Sequence, residues 1–322
     1  MFFAAISGSG TATVAAMGSI LIPAMAKQGY DRGFASALSA ISGSMGTIIP
    51  PSITFIIYGM ITGESIGDLF LAGIVPGIVF GLILCILVFV VSKKNDWKSE
   101  DGKASLNEIG KAFFDALWGL LSPVIVLGGI YTGLLTPTEA AAVAVIYSFI
   151  VGAFIYKELT LKTFWEALFS TGKTTGIILL IIMNAGIFSW VLTQQGIAPR
   201  LTEMALELTT NPYIMLLIIN FVFLCAGCVM DNTSALFILV PIILPIAQAL
   251  DINLIHLGVV LVLNLSIGQV TPPVGPNLYV AADIGKVTFE NICRRILPML
   301  GVSLIALLLV TFIPWLSTCL IK

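Results

Sequence analysis

Charge is what this sequence has least of. Asp, Glu, Lys and Arg make up only 10% of its 322 residues, and His256 is the single histidine; soluble globular domains carry about 25% charged residues. With 58% of the chain hydrophobic, too few polar side chains remain to cover a water-facing globule, so the composition excludes that class and leaves a polytopic membrane protein. A formal net charge of -2, spread over short loops, offers no basic patch for nucleic acid. Cysteine is sparse too. Cys85, Cys225, Cys228, Cys293 and Cys319 lie scattered in apolar stretches, where cysteine behaves as a small hydrophobe. The Cys225-Ala226-Gly227-Cys228 pair has no second pair and no nearby histidine to make a metal or redox centre.

Other absences bear on function. Gly172-Lys173-Thr174-Thr175 has Ala167 where a phosphate-binding loop needs its first glycine, so the backbone cradle for a nucleotide is missing and an ATP-driven pump is disfavoured. No HExxH or GxSxG pattern marks a membrane enzyme. Met1-Phe2-Phe3-Ala4-Ala5-Ile6 lacks the basic flank and cleavage site of a signal peptide.

What is present is a repeat. Pro23, Pro50, Pro51 and Pro76 precede Pro245, Pro272, Pro273 and Pro298 by 222 residues, and Gly46 and Gly63 stand in the same relation to Gly268 and Gly285. Ser9-Gly10-Thr11 falls on Asp231-Asn232-Thr233 in that register. Paired apolar segments interrupted by Gly and Pro at corresponding positions point to a transporter built from two copies of one unit, with its site where the helices break. Hydrophobic segments occupy about 100 residues before the second copy and none before the first, so roughly 100 further residues are expected upstream, as in a fragment or a short gene model.

Segments 34–60, 69–92, 118–135, 138–156, 174–194, 255–283 and 296–318 approach the 20 or so apolar residues that cross a bilayer. Shorter runs at 13–26, 213–229 and 235–249 suit the arms of re-entrant hairpins with tips at 7–11 and 229–234. If residues 1–26 enter and leave by one face, Lys27, Arg32, Lys93, Lys94, Lys98, Lys103, Lys111, Lys157, Lys162, Lys173, Lys286, Arg294 and Arg295 share that face, leaving Arg200 and Lys322 opposite. The positive-inside rule makes the basic face cytoplasmic and the carboxyl end external. The second hairpin then enters from outside, and the copies are inverted. The expected divisions are 1–95, a first repeat unit; 96–117, a cytoplasmic linker with an amphipathic stretch from Leu106; 118–212, scaffold helices with an interfacial arm at 159–169; and 213–322, the second hairpin, broken helix and last span.

The breaks carry the chemistry. Pro50-Pro51 and Pro272-Pro273 remove amide donors and disfavour helix just before them, and irregular backbone at membrane depth survives only where protein buries it or it lines a cavity. Freed carbonyls at a half-helix C-terminus suit a dehydrated cation such as sodium, and the half-helix N-terminus opposite suits an anion. The alternative is a pair of packed proline kinks. Asp231, between two apolar arms, is either offset by a bound cation or solvated at a tip near water. Glu139 reads as the first-turn acid of a helix capped by Thr136, and His256 as a core or solvated residue.

Ile6-Ser7-Gly8-Ser9-Gly10-Thr11-Ala12, Gly18-Ser19-Ile20-Leu21-Ile22-Pro23-Ala24-Met25, Ile48-Ile49-Pro50-Pro51-Ser52 and Gly268-Gln269-Val270-Thr271-Pro272-Pro273-Val274-Gly275 resemble the large membrane subunit of TRAP (tripartite ATP-independent periplasmic) transporters over the whole chain. The resemblance implies an all-α inverted-repeat fold of the elevator type, with two re-entrant hairpins and two broken helices. It implies a bacterial inner-membrane importer of organic anions driven by Na+, a small four-helix membrane subunit, and a periplasmic binding protein that delivers substrate. Carried onto matching positions, it puts one sodium among Ser7, Gly8, Ser9, Gly10, Gly43, Gly46, Thr47 and Pro50. A second falls among Asp231, Asn232, Thr233, Gly268, Thr271 and Pro273, and a substrate cavity near Thr11, Ser52 and Asn277. A stand-alone divalent-anion:sodium symporter is the rival, but it would carry Ser-Asn-Thr at both tips where this chain has Ser9-Gly10-Thr11. A membrane enzyme or passive channel is third.

Overall fold

The computed structural model describes residues 1–95, 97 and 105–321, which are helical, with no strand among them. Lys98, Lys103 and Lys322, which the charge map used, lie outside the described residues, as does much of the expected 96–117 linker. Two compact units divide the chain: Met1–Gly102 with Gly196–Lys322, and Lys103–Gln195. The helix Ile197–Leu208, in the expected 118–212 division, lies within the first of these units and packs against Asn232–Ala249.

The first unit contains the repeat. Its first copy comprises a short turn α1 (Ala4–Ser7), α2 (Gly10–Lys27), α3 (Arg32–Ser44) ending in a 3-10 turn over Met45–Thr47, α4 (Ile53–Thr62) and α5 (Ile66–Lys94). These are followed in the second unit by α6 (Leu106–Tyr131), α7 (Pro137–Ile150) and α8 (Leu161–Gln194). The chain then returns to the first unit as α9 (Ile197–Leu208), α10 (Pro212–Gly227), α11 (Asn232–Ala249), α12 (Leu254–Gly268), α13 (Pro276–Gly285), α14 (Phe289–Phe312) and α15 (Trp315–Thr318). Helices α2 and α11 match residue for residue at the 222 offset. The same register aligns their caps. Ser9 and Asp231 each accept from a backbone N–H in the first turn of α2 and α11, as Asp31 and Asn253 do for α3 and α12.

Helix α12 is the core of this unit. From His256 to Gly268 every residue is buried, and the helix packs against α10, α5, α14 and α4, as expected of a helix apolar on all sides. At one end of the unit Asp31 pairs with Arg295 at 3.1 Å, drawing the α2–α3 turn to the start of α14. At the other, the Tyr58 hydroxyl donates to the Leu254 carbonyl at 2.6 Å, and Tyr213 lies against Phe312 with ring centroids 6.0 Å apart. His256 takes the core reading. Its Nδ1 meets the Ser317 hydroxyl at 3.2 Å and its Nε2 the Thr311 carbonyl at 3.3 Å.

The second unit differs in solvent. Its helices bury few residues (Val126, Ala140, Val151 and Leu192), while Val145, Phe154 and Phe169 stand largely exposed. Such surface is stable against hydrocarbon rather than water. Helix α6 runs unbroken from Leu106, and α8 from Leu161, so the amphipathic stretches expected as separate interfacial pieces are the opening turns of long helices. Glu139 and Thr136 form the expected capping box. Among the described residues six helices are long and apolar enough to cross a membrane, counting α7 with its π-helical extension to Ile155: α5, α6, α7, α8, α11 and α14.

Candidate functional site

Each helix break in the first unit is hydrogen-bonded to the chain at or just before the expected tip of its own copy. The backbone N–H of Ile53, two residues past the Pro50-Pro51 break, donates to the Gly8 carbonyl at 3.4 Å, and its counterpart on Gly275, two residues past Pro272-Pro273, donates to the Cys228 carbonyl at 3.3 Å. Both Pro-Pro bonds are cis. Close approach explains the two matched glycines that end the first half of each broken helix. A Cβ on Gly46 would stand 2.7 Å from the Ser9 carbonyl oxygen and 2.6 Å from Thr13 Oγ1, and one on Gly268 would stand 2.6 Å from Gly227 Cα; only glycine admits backbone at that distance.

Around the first tip the polar groups converge. The Ser9 carbonyl accepts from the Ser7 hydroxyl at 3.1 Å and the Thr13 hydroxyl at 2.8 Å, and Ser7 Oγ and Thr13 Oγ1 are themselves 2.5 Å apart. Gly43 packs on the Val14 backbone, so a Cβ there would lie 3.0 Å from Val14 Cα. Thr47 donates to the Ser44 carbonyl at 2.8 Å and shares a hydrogen bond with Ser266, at the end of α12, so the ends of α3 and α12 touch. Pro50 is buried beside them. Ser52 is a cap: fully buried, it donates to the Thr47 carbonyl at 2.5 Å and accepts from Phe55 N at 3.3 Å.

The first tip also reaches across to the second break. Thr11 donates to Asn277 Oδ1 at 2.9 Å across 266 residues of sequence, and Asn277 Nδ2 donates to Gln269 Oε1 at 3.2 Å. Two of the three expected cavity residues, Thr11 and Asn277, are therefore in contact. At the second tip Asp231 is exposed, its carboxylate accepting from Ser234 N at 3.1 Å and from the Ser234 hydroxyl at 2.6 Å. Asn232 is buried with both amide atoms unpaired. Thr233 and Thr271 are half-buried and Pro273 is exposed; Thr271 bonds the Ile267 carbonyl at 2.7 Å. Thr13, Ser266 and Gln269 join this cluster without having been foreseen. Two left a signal: Gln269 lies 222 residues after Thr47, and Thr13 is one helical turn beyond Ser9.

The oxygens gathered at the tips and breaks are hydroxyls, carbonyls and amides, a hard donor set suited to a cation such as sodium rather than a soft metal. Residues 1–316 match the sequence profile of the DctM component of tripartite ATP-independent periplasmic transporters. The chain belongs to this family. Among curated relatives, the C4-dicarboxylate TRAP transporter large permease protein DctM of Pseudomonas aeruginosa is 42% identical over 320 residues, covering 99% of this chain and 75% of the relative. The isethionate TRAP transporter permease protein DctMQ of Oleidesulfovibrio alaskensis is 42% identical over 314 residues, 98% of this chain and 49% of that one. The sialic acid TRAP transporter large permease protein SiaM of Vibrio cholerae is 37% identical over 314 residues, 98% of this chain and 73% of the relative. The chain thus spans about half the length of the isethionate relative and about three quarters of the other two. It is a membrane transporter component of this family, not an enzyme.

Proposed function

We propose that this chain is the large permease of a sodium-coupled secondary transporter that imports organic anions, delivered by a periplasmic binding protein, across the bacterial inner membrane. The observation that carries the reading is the hydrogen bonding of each break to the chain at or just before the tip of its own copy, which sets half-helix ends and hydroxyls around two quasi-equivalent places. The half-helix C-termini and hydroxyls take the ions; the N-termini of α2, α4, α11 and α13 favour the anion. Relatives named for C4-dicarboxylate, isethionate, sialic acid and 2,3-diketo-L-gulonate support an anionic organic substrate. The Asp31–Arg295 pair at one end of the repeat unit and the Tyr213–Phe312 contact at the other support hairpins that enter from opposite faces, hence inverted copies. In this reading the two hairpins and broken helices move as one body against a scaffold. A small four-helix membrane subunit acts beside the chain, and relatives roughly twice its length have room for such a part in one polypeptide.

Proteoliposomes carrying the chain with its small subunit test this directly. Uptake is expected to need both a sodium gradient and an added periplasmic protein; uptake of free substrate by the chain alone would favour the stand-alone symporter. Sodium titrations locate the ions. Asp231→Ala, Thr271→Ala and Thr47→Ala are expected to raise the sodium concentration for half-maximal transport, by about tenfold for each 1.4 kcal/mol of ion binding lost, with Asp231→Asn milder than Asp231→Ala. Wild-type sodium affinity in all three would reduce the breaks to packed kinks.

A further inference from the structure

Helix α8 carries an amide at the centre of an apolar span. The run from Ile177 to Leu192 lies between the polar stretches Gly172-Lys173-Thr174-Thr175 and Thr193-Gln194-Gln195, and at about 1.5 Å per residue it covers most of the roughly 30 Å of bilayer hydrocarbon. Asn184 stands in its middle, on the exposed surface of the helix. Its Nδ2 donates to the Leu180 carbonyl at 2.7 Å. The second Nδ2 hydrogen and Oδ1 meet no partner among the described residues, and at that depth no water replaces one. An asparagine so placed bonds across to a neighbouring helix.

The residues around Asn184 indicate which kind of helix. Ile177, Asn184 and Val191 recur every seven residues, and Leu180 and Ile187 fall three residues after the first two. These five form one stripe along α8, the a and d positions of a heptad, with β-branched residues and one asparagine at a. In parallel helix pairs that pattern favours two strands, and the asparagine sets their register. The stripe is uncovered. Leu180 is 60% and Ile187 64% exposed, and α8 buries Leu192 alone. Its ring contact with α7, Phe164 against Phe149 at 5.7 Å, lies in its opening turn, away from the stripe.

We propose that this stripe is the seat of a second copy of the chain, with α8 of one copy against α8 of the other about a two-fold axis normal to the membrane. Both copies insert with one orientation, so the helices run parallel and each Asn184 meets its counterpart at its own depth. A foreign helix would need both a donor and an acceptor at that level. A second copy brings both: Oδ1 of each amide accepts from the uncommitted Nδ2 hydrogen of the other, an isologous contact that closes on itself. The pairing involves no ion and stands apart from the transport reading above.

Disulfide cross-linking of the full chain in native membranes, with the small membrane subunit co-expressed, tests the pairing. In a chain freed of its five cysteines, Leu180→Cys and Ile187→Cys are expected to give a species of twice the chain mass under mild oxidation. Leu179→Cys, exposed but turned away from the stripe, is not. Adding Asn184→Leu, an apolar residue on an apolar surface, is expected to cut the linked fraction at least about fivefold, whereas Asn184→Gln, which keeps an amide, retains most of it. Absence of a linked dimer from both stripe positions overturns the proposal, as does equal linkage from Leu179→Cys, the mark of random collision. A linked fraction unchanged by Asn184→Leu overturns the amide contact. Linkage of position 180 to the small subunit in place of a second copy overturns the pairing and gives the stripe to that partner.

Discussion

At the scale of single residues, small size is as consequential as polarity. Gly268 lets α12 meet α10 backbone to backbone, and the atoms a Cβ would strike, Gly227 Cα at 2.6 Å and Gly227 C at 2.7 Å, cannot swing aside as a flexible side chain could. Gly268→Ala must therefore push the second tip off its break. It is expected to destabilise the chain by about 1–3 kcal/mol and to weaken sodium binding, both readable from thermal unfolding with and without NaCl. Gly301→Ala on α14 is the control, since nothing lies within 4 Å of its added methyl and alanine favours helix. An equal loss in both variants would show a general intolerance rather than a close approach at the tip. Sequence spacing singled out Gly268 through its match with Gly46, but not Gly227, which has no counterpart glycine at residue 5.

At the scale of elements, the repeat is written in caps as well as in breaks. Asp31 and Asn253 occupy one register, each accepting from a backbone N–H three residues on at 2.9 Å. Asn253→Ala removes the acceptor for His256 N. A cost of about 1 kcal/mol in unfolding free energy is expected, with the sodium midpoint unchanged because the cap lies at the far end of α12 from the break. A shifted sodium midpoint would mean that cap and break are coupled along the helix. The copies also diverge here in an instructive way. Behind the second break Asn264 donates to the Asn220 carbonyl at 2.8 Å, and Asn220 donates to Thr311 at 2.9 Å; the first copy has Ser42 and Phe89 in the registers of Asn264 and Thr311. Proline and glycine show the shared frame in sequence, whereas this polar ladder, carried by ordinary side chains on three helices, does not repeat and left no periodic trace.

At the scale of the whole molecule, charge sets the expected orientation in the membrane. Within the repeat unit Lys27, Arg32 and Arg295 gather at the end where Asp31 meets Arg295, which accords with one basic, cytoplasmic face. A single cysteine introduced at Lys286 in an otherwise cysteine-free chain is expected to be shielded from an impermeant maleimide in intact cells, and one at Arg200 to react. The opposite pattern would invert the map and, with it, the face from which each hairpin enters.

Composition alone determined that the chain lives in a membrane, because too few polar residues exist to cover a globule in water. The 222-residue register determined the two copies and their breaks, because proline lacks an amide donor wherever it stands and glycine lacks a Cβ. Those are properties of the residues themselves. The tertiary structure decided the rest: that the first tip reaches the second break through Thr11 and Asn277, that Asp231 spends its carboxylate on a cap while its neighbour Asn232 is buried with nothing to bond, and that Ser52 is buried as the cap of α4 with its hydroxyl on the Thr47 carbonyl. Each depends on which way a side chain turns once helices more than 200 residues apart have packed, and sequence spacing records no such direction.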